Sequence, residues 1–153
     1  MTIKVNFSYL IKITTLLCSI LIISNQSIKA SENHDMKEIN NVIQIYFESM
    51  YESSSDKVYK AFHPNAKISG YLGVDFAERT VDEFAALVAS VQPSEKKQNK
   101  SIVLEVLSID IAGNTAVARV RDSYRDLIFL DTLSFIKIDN EWKIYNKLFH
   151  VES

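Results

Sequence analysis

The last predicted strand carries two polar side chains that could contact a ligand. Side chains alternate between the faces of a strand, so one face holds Trp142, Ile144, Asn146, Leu148 and His150. The Trp and Ile in this set predict that the face points inward, which would bury Asn146 and His150. A buried polar group without a hydrogen-bond partner costs about 1–3 kcal/mol. Each of the two side chains therefore needs a partner on a neighbouring strand, a water or a ligand. His150 is therefore a structural hydrogen-bonding group or a candidate general base.

A second candidate base is Asp131, at the start of the third long strand. It lies near Tyr124 and Arg125 across a predicted bend. An aspartate beside arginines commonly forms a salt bridge. Alternatively, it lies on the polar rim of a pocket, where its carboxylate would bind a donor group or abstract a proton.

Three further side chains are candidate ligand contacts. Tyr46 lies on the apolar stripe of the first predicted helix, where a tyrosine is either a core aromatic or a phenol facing a pocket. Tyr71 and Asp75 lie close to two glycines in a segment predicted to end in a loop. Loops at a pocket commonly carry binding residues, so both an exposed and a ligand-contacting role stay open.

Several function classes are excluded by motif and charge. The chain has three histidines without the acid spacing of a metal site, and we expect no metal. It has no P-loop, no G-x-S-x-G and no dinucleotide fingerprint, and we expect no cofactor. Residues 31–153 keep all 19 acidic residues but lose three of the 17 basic ones, and this net acidic charge argues against a nucleic-acid partner.

The elements that must position these residues are helices first and strands afterwards. Apolar residues at helical spacing predict a first helix, a short second helix stopped by Pro64, and a third opened by a Thr80–Glu83 capping box. A short strand is expected over 66–72. From residue 101 the period becomes two, which predicts strands over 102–111, 115–124, 127–138 and 142–151. This arrangement is typical of one α+β domain over residues 31–153.

Residues 1–30 differ from the rest and resemble a signal peptide. Lys4 and Lys12 precede an apolar run over 13–23, and a polar stretch ends at Ala30. A bilayer-spanning helix needs about 20 apolar residues, so the run is too short for a permanent anchor. We expect a periplasmic or secreted protein that has no membrane attachment once the signal peptide is removed by cleavage after Ala30. Cys18 is the only cysteine, so the mature chain would have none.

Two segments carry a resemblance to a known family. The stretches 106–120 and 131–150, in the order of elements above, resemble the nuclear transport factor 2-like superfamily, in its putative lumazine-binding branch close to the SnoaL-like proteins. The resemblance implies a cone-shaped, curved antiparallel sheet with three N-terminal helices enclosing an apolar pocket, and a homodimer through the outer sheet face. It also places the His63 region near the pocket mouth. Tyr46 and Asp131 are the nearest analogues of the tyrosine and carboxylate of related ketosteroid isomerases, and no second inward acid is identified.

The predicted function is an exported protein that binds a small apolar or aromatic molecule. The candidate ligand contacts are Tyr46, His63, Tyr71, Asp75, Trp142, Asn146 and His150. One alternative is an isomerase, cyclase or dehydratase with His150 or Asp131 as base. Another is a dimerising accessory module without catalysis.

Overall fold

The computed structural model describes residues 31–152. The chain divides into two units at the boundary between Asp35 and Met36. In the first, residues 31–35 are helical. The predicted signal peptide, its cleavage site and Cys18 lie outside the described residues.

Three helices in the second unit follow the predicted apolar spacing. Helix α1 covers 36–52, α2 is Ser55–Ala61, and α3 is Val81–Ser90. The predicted capping box at the start of α3 is confirmed: Glu83 N donates to Thr80 Oγ1 at 3.3 Å, and Thr80 N donates to Glu83 Oε2 at 2.8 Å. The stripe of α1 is buried as expected, with Ile43 and Tyr46 almost fully covered.

Within residues 31–152, six strands form one curved, unclosed sheet. They are β1 Phe62–Leu72, β2 Asp75–Thr80, β3 Leu104–Ala112, β4 Thr115–Tyr124, β5 Leu127–Ile138 and β6 Glu141–Glu152. Their order is β2-β1-β6-β5-β4-β3. The α+β class is confirmed, but β1 pairs with β6 in parallel, so the sheet is mixed rather than wholly antiparallel.

The segment expected to be a loop around Asp75 is instead the start of a strand. Gly73 has a φ of +65°, a conformation that glycine adopts without strain, and it turns β1 back into β2. Tyr71 and Phe76 then pair across the hairpin with ring centroids 5.6 Å apart. Likewise, His63 and Pro64 belong to β1 rather than to the end of α2.

A single extra residue reverses the faces of β6. Ser134 of β5 pairs with Asn146 while Phe135 pairs with Ile144, so Tyr145 has no counterpart and forms a bulge. Such an insertion moves every following side chain to the opposite face. Trp142 and Ile144 point inward before the bulge, and Lys147 and Phe149 are buried after it.

The predicted inward positions of Asn146 and His150 are therefore wrong. Asn146 is half-buried, and His150 is exposed together with Leu148. The prediction assumed an uninterrupted alternation along β6, which the bulge at Tyr145 breaks.

Within residues 31–152, none of the helices combines the length and the apolar character that crossing a membrane requires.

Candidate functional site

A buried cluster of three hydrogen-bonded side chains joins α1 to the inner face of the sheet. The hydroxyl of Tyr46 donates to Asp131 Oδ2 at 2.8 Å, and Lys147 Nζ donates to the same oxygen at 2.6 Å. Lys147 Nζ also donates to the Tyr46 hydroxyl. Asp131 is fully buried and Lys147 is 4% exposed, so the ion pair lies away from bulk water.

Each member is placed by the local pattern of its element. Tyr46 belongs to the buried stripe of α1. Asp131 shares the inner face of β5 with Phe129 and Leu133, because alternate residues of a strand face the same way. Lys147 is turned inward by the bulge at Tyr145.

A second acid, Asp122, faces inward beside this cluster. In the β4–β5 pairing Asp122 lies opposite Phe129. Phe129 is two residues from Asp131 and shares its face of β5. Burial raises the pKa of the Asp122 carboxyl well above its usual range, the charge of Lys147 opposes this rise, and the Asp131 carboxylate adds to it. Two ionised carboxylates are both acceptors, whereas a protonated Asp122 can donate to Asp131.

The phenols near this cluster stay protonated. Burial raises the pKa of Tyr46 well above its usual value, and the carboxylates of Asp122 and Asp131 raise it further. Burial also raises the pKa of Tyr124 to about 12. The Tyr46 hydroxyl therefore remains a hydrogen-bond donor at neutral pH.

Lys147 lies on the wall of a cavity of about 420 Å³, enclosed by α1, α3 and the inner face of the sheet. The lining residues are Met50, Ile68, Leu72, Arg79, Phe84, Leu87, Tyr124, Arg125, Leu127, Phe129, Lys147 and Phe149. Exposed Leu72, Leu127 and Arg125 mark the open end, and buried Lys147 marks the closed end. This volume falls within the range of about 300–1,000 Å³ that is usual for small-molecule sites.

Aromatic rings surround the ammonium group at the closed end. The distance from Lys147 Nζ to the ring centroid is 4.8 Å for Tyr46 and 5.6 Å for Phe129. It is 5.8 Å for Phe149 and 6.0 Å for Phe84. Cation–π attraction and the ion pair with Asp131 together compensate for the lost hydration of the lysine.

Gly70 provides the space that Phe149 needs beside the cavity. A Cβ at Gly70 would lie 2.3 Å from the Phe149 carbonyl oxygen and 2.6 Å from its ring. The two residues are partners in the parallel β1–β6 pairing. The close approach of β1 to the Phe149 ring therefore requires a residue without a side chain.

The cluster combines a primary amine, a carboxylate, a phenol and a second carboxyl group. Of these four, the amine of Lys147 lines the apolar cavity, whereas Tyr46, Asp131 and Asp122 are buried outside its lining. Lys147 can donate a hydrogen bond to an acceptor in the cavity, and Tyr46 and Asp131 can exchange protons with its amine. Within residues 31–152, no set of three or more His, Cys, Asp or Glu side chains is arranged to hold a metal ion.

The structure brings two of the predicted residues, Tyr46 and Asp131, to this site. The salt bridge predicted for Asp131 exists, but its partner is Lys147 of β6 rather than a nearby arginine. The expectation that no second acid faces inward is wrong, because Asp122 does.

The other predicted contacts lie elsewhere. His63 packs against Tyr145 with ring centroids 5.1 Å apart, and Tyr71 is 56% exposed beside Phe76. Trp142 lines a separate hollow of about 180 Å³. Asp75, Asn146 and His150 are absent from the cavity lining among the described residues.

Sequence reasoning missed Lys147 and Asp122 for different reasons. The alternation of β4 already places Asp122 on the face of Ala118 and Val120, so the signal for this acid was present. Lys147 could not be found in this way, because the bulge depends on how β6 pairs with β5.

Comparisons with known proteins agree with this geometry at the level of the fold and the family. The family model described as putative lumazine-binding matches residues 34–150. A curated relative, Aldolase FrzH from Cladobotryum sp., is 26% identical over 105 residues, which are 69% of this chain and 82% of the relative.

Solved structures with the same fold include two NTF2-like proteins of unknown function. The one from Silicibacter pomeroyi has a TM-score of 0.73 at 16% identity, covering 79% of this chain and 98% of that one. The one from Methylobacillus flagellatus has a TM-score of 0.70 at 27% identity, covering 78% and 94%. Since the family match spans residues 34–150, the chain belongs to the putative lumazine-binding family of the nuclear transport factor 2-like superfamily.

Proposed function

We propose that this protein binds a small, mostly apolar or aromatic molecule in the cavity, with an acceptor group directed at Lys147. The observation that carries the proposal is a buried ammonium group on the wall of an apolar cavity that is open at its other end. An ammonium group has three N–H donors, and Asp131 and Tyr46 accept two of them. The residues described, 31–152, offer no further acceptor for this group, so the third donor is available to a ligand.

The open end suits a ligand that also carries an acidic group. Arg79 and Arg125 line the cavity together with apolar side chains. A guanidinium group binds carboxylate, sulfonate or phosphate oxygens through paired N–H groups. An aromatic compound with an acceptor at one end and an anionic group at the other would match both ends of the cavity.

Binding of 8-anilinonaphthalene-1-sulfonate tests the proposal, because this probe is aromatic and carries a sulfonate. We expect a saturable rise in its fluorescence with the purified protein. Leu87→Trp, which fills the cavity, should abolish the rise, whereas Leu148→Trp on the exposed face of β6 should preserve it. Circular dichroism of both variants checks that they are folded. Equal fluorescence from the two folded variants, or no saturable rise with the unmodified protein, would overturn the proposal.

An enzyme acting on a carbonyl compound is the second candidate, favoured by the Tyr46, Asp131 and Lys147 cluster at the closed end. One curated relative is named an aldolase, a class of enzyme that acts on carbonyl compounds, and this name makes the candidate worth testing. In this case Asp131, which does not itself line the cavity, would act through the Lys147 amine to remove a proton next to the carbonyl. Incubation with phenylacetone in deuterated water should then exchange its α-hydrogens, and Asp131→Asn should lose that exchange.

Export and dimerisation stay predictions. Val117, Tyr145 and Leu148 are apolar and between 43% and 51% exposed, as an interface on the sheet would require. Analytical ultracentrifugation of the protein and of Tyr145→Lys tests the homodimer. N-terminal sequencing of the protein from its natural source tests cleavage after Ala30. A dimer without ligand binding would favour the accessory-module alternative.

A further inference from the structure

We propose that Lys147 captures an aldehyde or ketone in the cavity by forming an imine with its carbonyl carbon. This inference rests on the proposed function, because the same cavity would hold the carbonyl compound. It adds a substrate class and a covalent mode of binding that hydrogen bonding alone would not require.

The position of Lys147 suits a reactive amine. Among the described residues that line the cavity, it is the single primary amine. Its side chain is 5% exposed and lies among the rings of Phe84, Phe129 and Phe149. Lysines enclosed by apolar groups act as nucleophiles in covalent catalysis, since little water competes for the nitrogen or for the imine.

The neighbours of Lys147 provide a path for the protons. Asp131 Oδ2, 2.6 Å from Nζ, accepts a proton from the ammonium group and leaves a free amine. The nitrogen lone pair then forms the C–N bond while the π electrons of the carbonyl move to oxygen. That oxygen takes a second proton from the nitrogen, which gives a neutral carbinolamine. The Tyr46 hydroxyl, which is hydrogen-bonded to Asp131 and to Lys147, can relay this proton transfer.

Loss of water completes the step. Asp131 returns its proton to the carbinolamine hydroxyl, which leaves as water while the nitrogen lone pair forms the C=N bond. The products are a protonated imine and an ionised Asp131, so the step needs no oxidant or reductant. One positive and one negative charge face each other before and after the reaction. The buried site therefore never holds an uncompensated charge, which would be costly.

Reductive trapping with benzaldehyde and sodium cyanoborohydride tests the capture. We expect peptide mass spectrometry to find a benzyl group on Lys147 at limiting benzaldehyde, with loss of this labelling when 8-anilinonaphthalene-1-sulfonate is present. The matched control is Lys143 on the same strand, whose amine donates to the Lys60 carbonyl outside the cavity. Its labelling should be slower and insensitive to the sulfonate. Lys147→Arg keeps the positive charge and should show no adduct at position 147.

Benzyl alcohol separates this inference from cavity binding itself. It has the ring of benzaldehyde but no carbonyl group, so it can displace the fluorescent sulfonate without forming an imine. Displacement by benzyl alcohol without any adduct on Lys147 would overturn the capture and leave the cavity binding intact. An adduct on Lys147 that forms no faster than on Lys143 and ignores the sulfonate would also overturn it. No binding of either compound and no adduct would overturn both proposals.

Discussion

Lys147 Nζ lies 2.6 Å from Asp131 Oδ2, and the two side chains are 5% and 0% exposed. They come from neighbouring strands, and the pair forms because the bulge at Tyr145 turns Lys147 inward. Removing one member of such a buried pair leaves the other charge without compensation. We therefore expect Lys147→Met to lower the free energy of unfolding by about 3–5 kcal/mol, measured by urea denaturation at neutral pH.

An exposed pair of the same length serves as the control. Lys100 and Asp126 are also 2.6 Å apart, but the Asp126 side chain is 80% exposed. Exposed pairs contribute about 0–1 kcal/mol, so Lys100→Met should have a small effect. The double variant Lys147→Met with Asp131→Leu should recover part of the lost stability, because it removes both charges. Equal losses for the two lysine variants would contradict the assigned burial of the pair.

Tyr46 connects the ion pair to α1 through its hydroxyl group. That hydroxyl donates to Asp131 and accepts from Lys147. Tyr46→Phe keeps the ring and removes both bonds, so we expect a loss of about 1–3 kcal/mol in the free energy of unfolding.

Tyr124→Phe is a matched control for this substitution. The Tyr124 hydroxyl is buried and has no hydrogen-bond partner among the described residues. Removing such a group should leave the free energy of unfolding unchanged or raise it. If urea denaturation shows the same loss for both variants, the bonds assigned to Tyr46 do not contribute to stability.

The sequence predicted the elements of this protein better than its site. The helical spacing places Tyr46 in the core, and the alternation of β5 accounts for Asp131 beside Leu133. Both inferences depend only on residues close together in the chain. The inward position of Lys147 depends on the register between β5 and β6. Tyrosine, the residue at position 145, is not a residue type that indicates a bulge.

Gly70 tests how closely β1 must approach the cavity wall. Gly70→Ala would place a methyl group 2.3 Å from the Phe149 carbonyl oxygen, too close for any contact without movement of the backbone. Forcing extra atoms into a packed region costs about 1–3 kcal/mol, and we expect a loss of this size in urea denaturation.

The same substitution should also displace Phe149 and weaken binding of 8-anilinonaphthalene-1-sulfonate, since Phe149 lines the cavity. Ser69→Ala is the control, because Ser69 faces the other side of β1, where it donates to Glu78 at 3.2 Å. It should leave the probe's affinity unchanged. Normal binding by Gly70→Ala would show that the cavity wall does not depend on this close approach.

Asp122 makes the stability of the fold depend on pH. Burial raises the pKa of its carboxyl in the folded state, the charge of Lys147 opposes this, and Asp131 adds to the rise. The folded state therefore holds the Asp122 proton at pH values where the unfolded chain, with a pKa of about 4, has released it. This contribution to stability is complete below the unfolded pKa and is lost as the pH rises through the folded pKa.

Asp122→Asn removes the titrating group and introduces an amide that, like a protonated acid, can donate to Asp131. We expect the free energy of unfolding of the unmodified protein to fall, relative to that of this variant, as the pH increases above about 4. Urea denaturation of both proteins between pH 4 and pH 9 measures the difference. Lys147, Asp131 and Glu95 act on Asp122 and are present in both proteins, so their own titration largely cancels. A difference that stays constant over this range would mean that the pKa of the Asp122 carboxyl is the same in the folded and unfolded states.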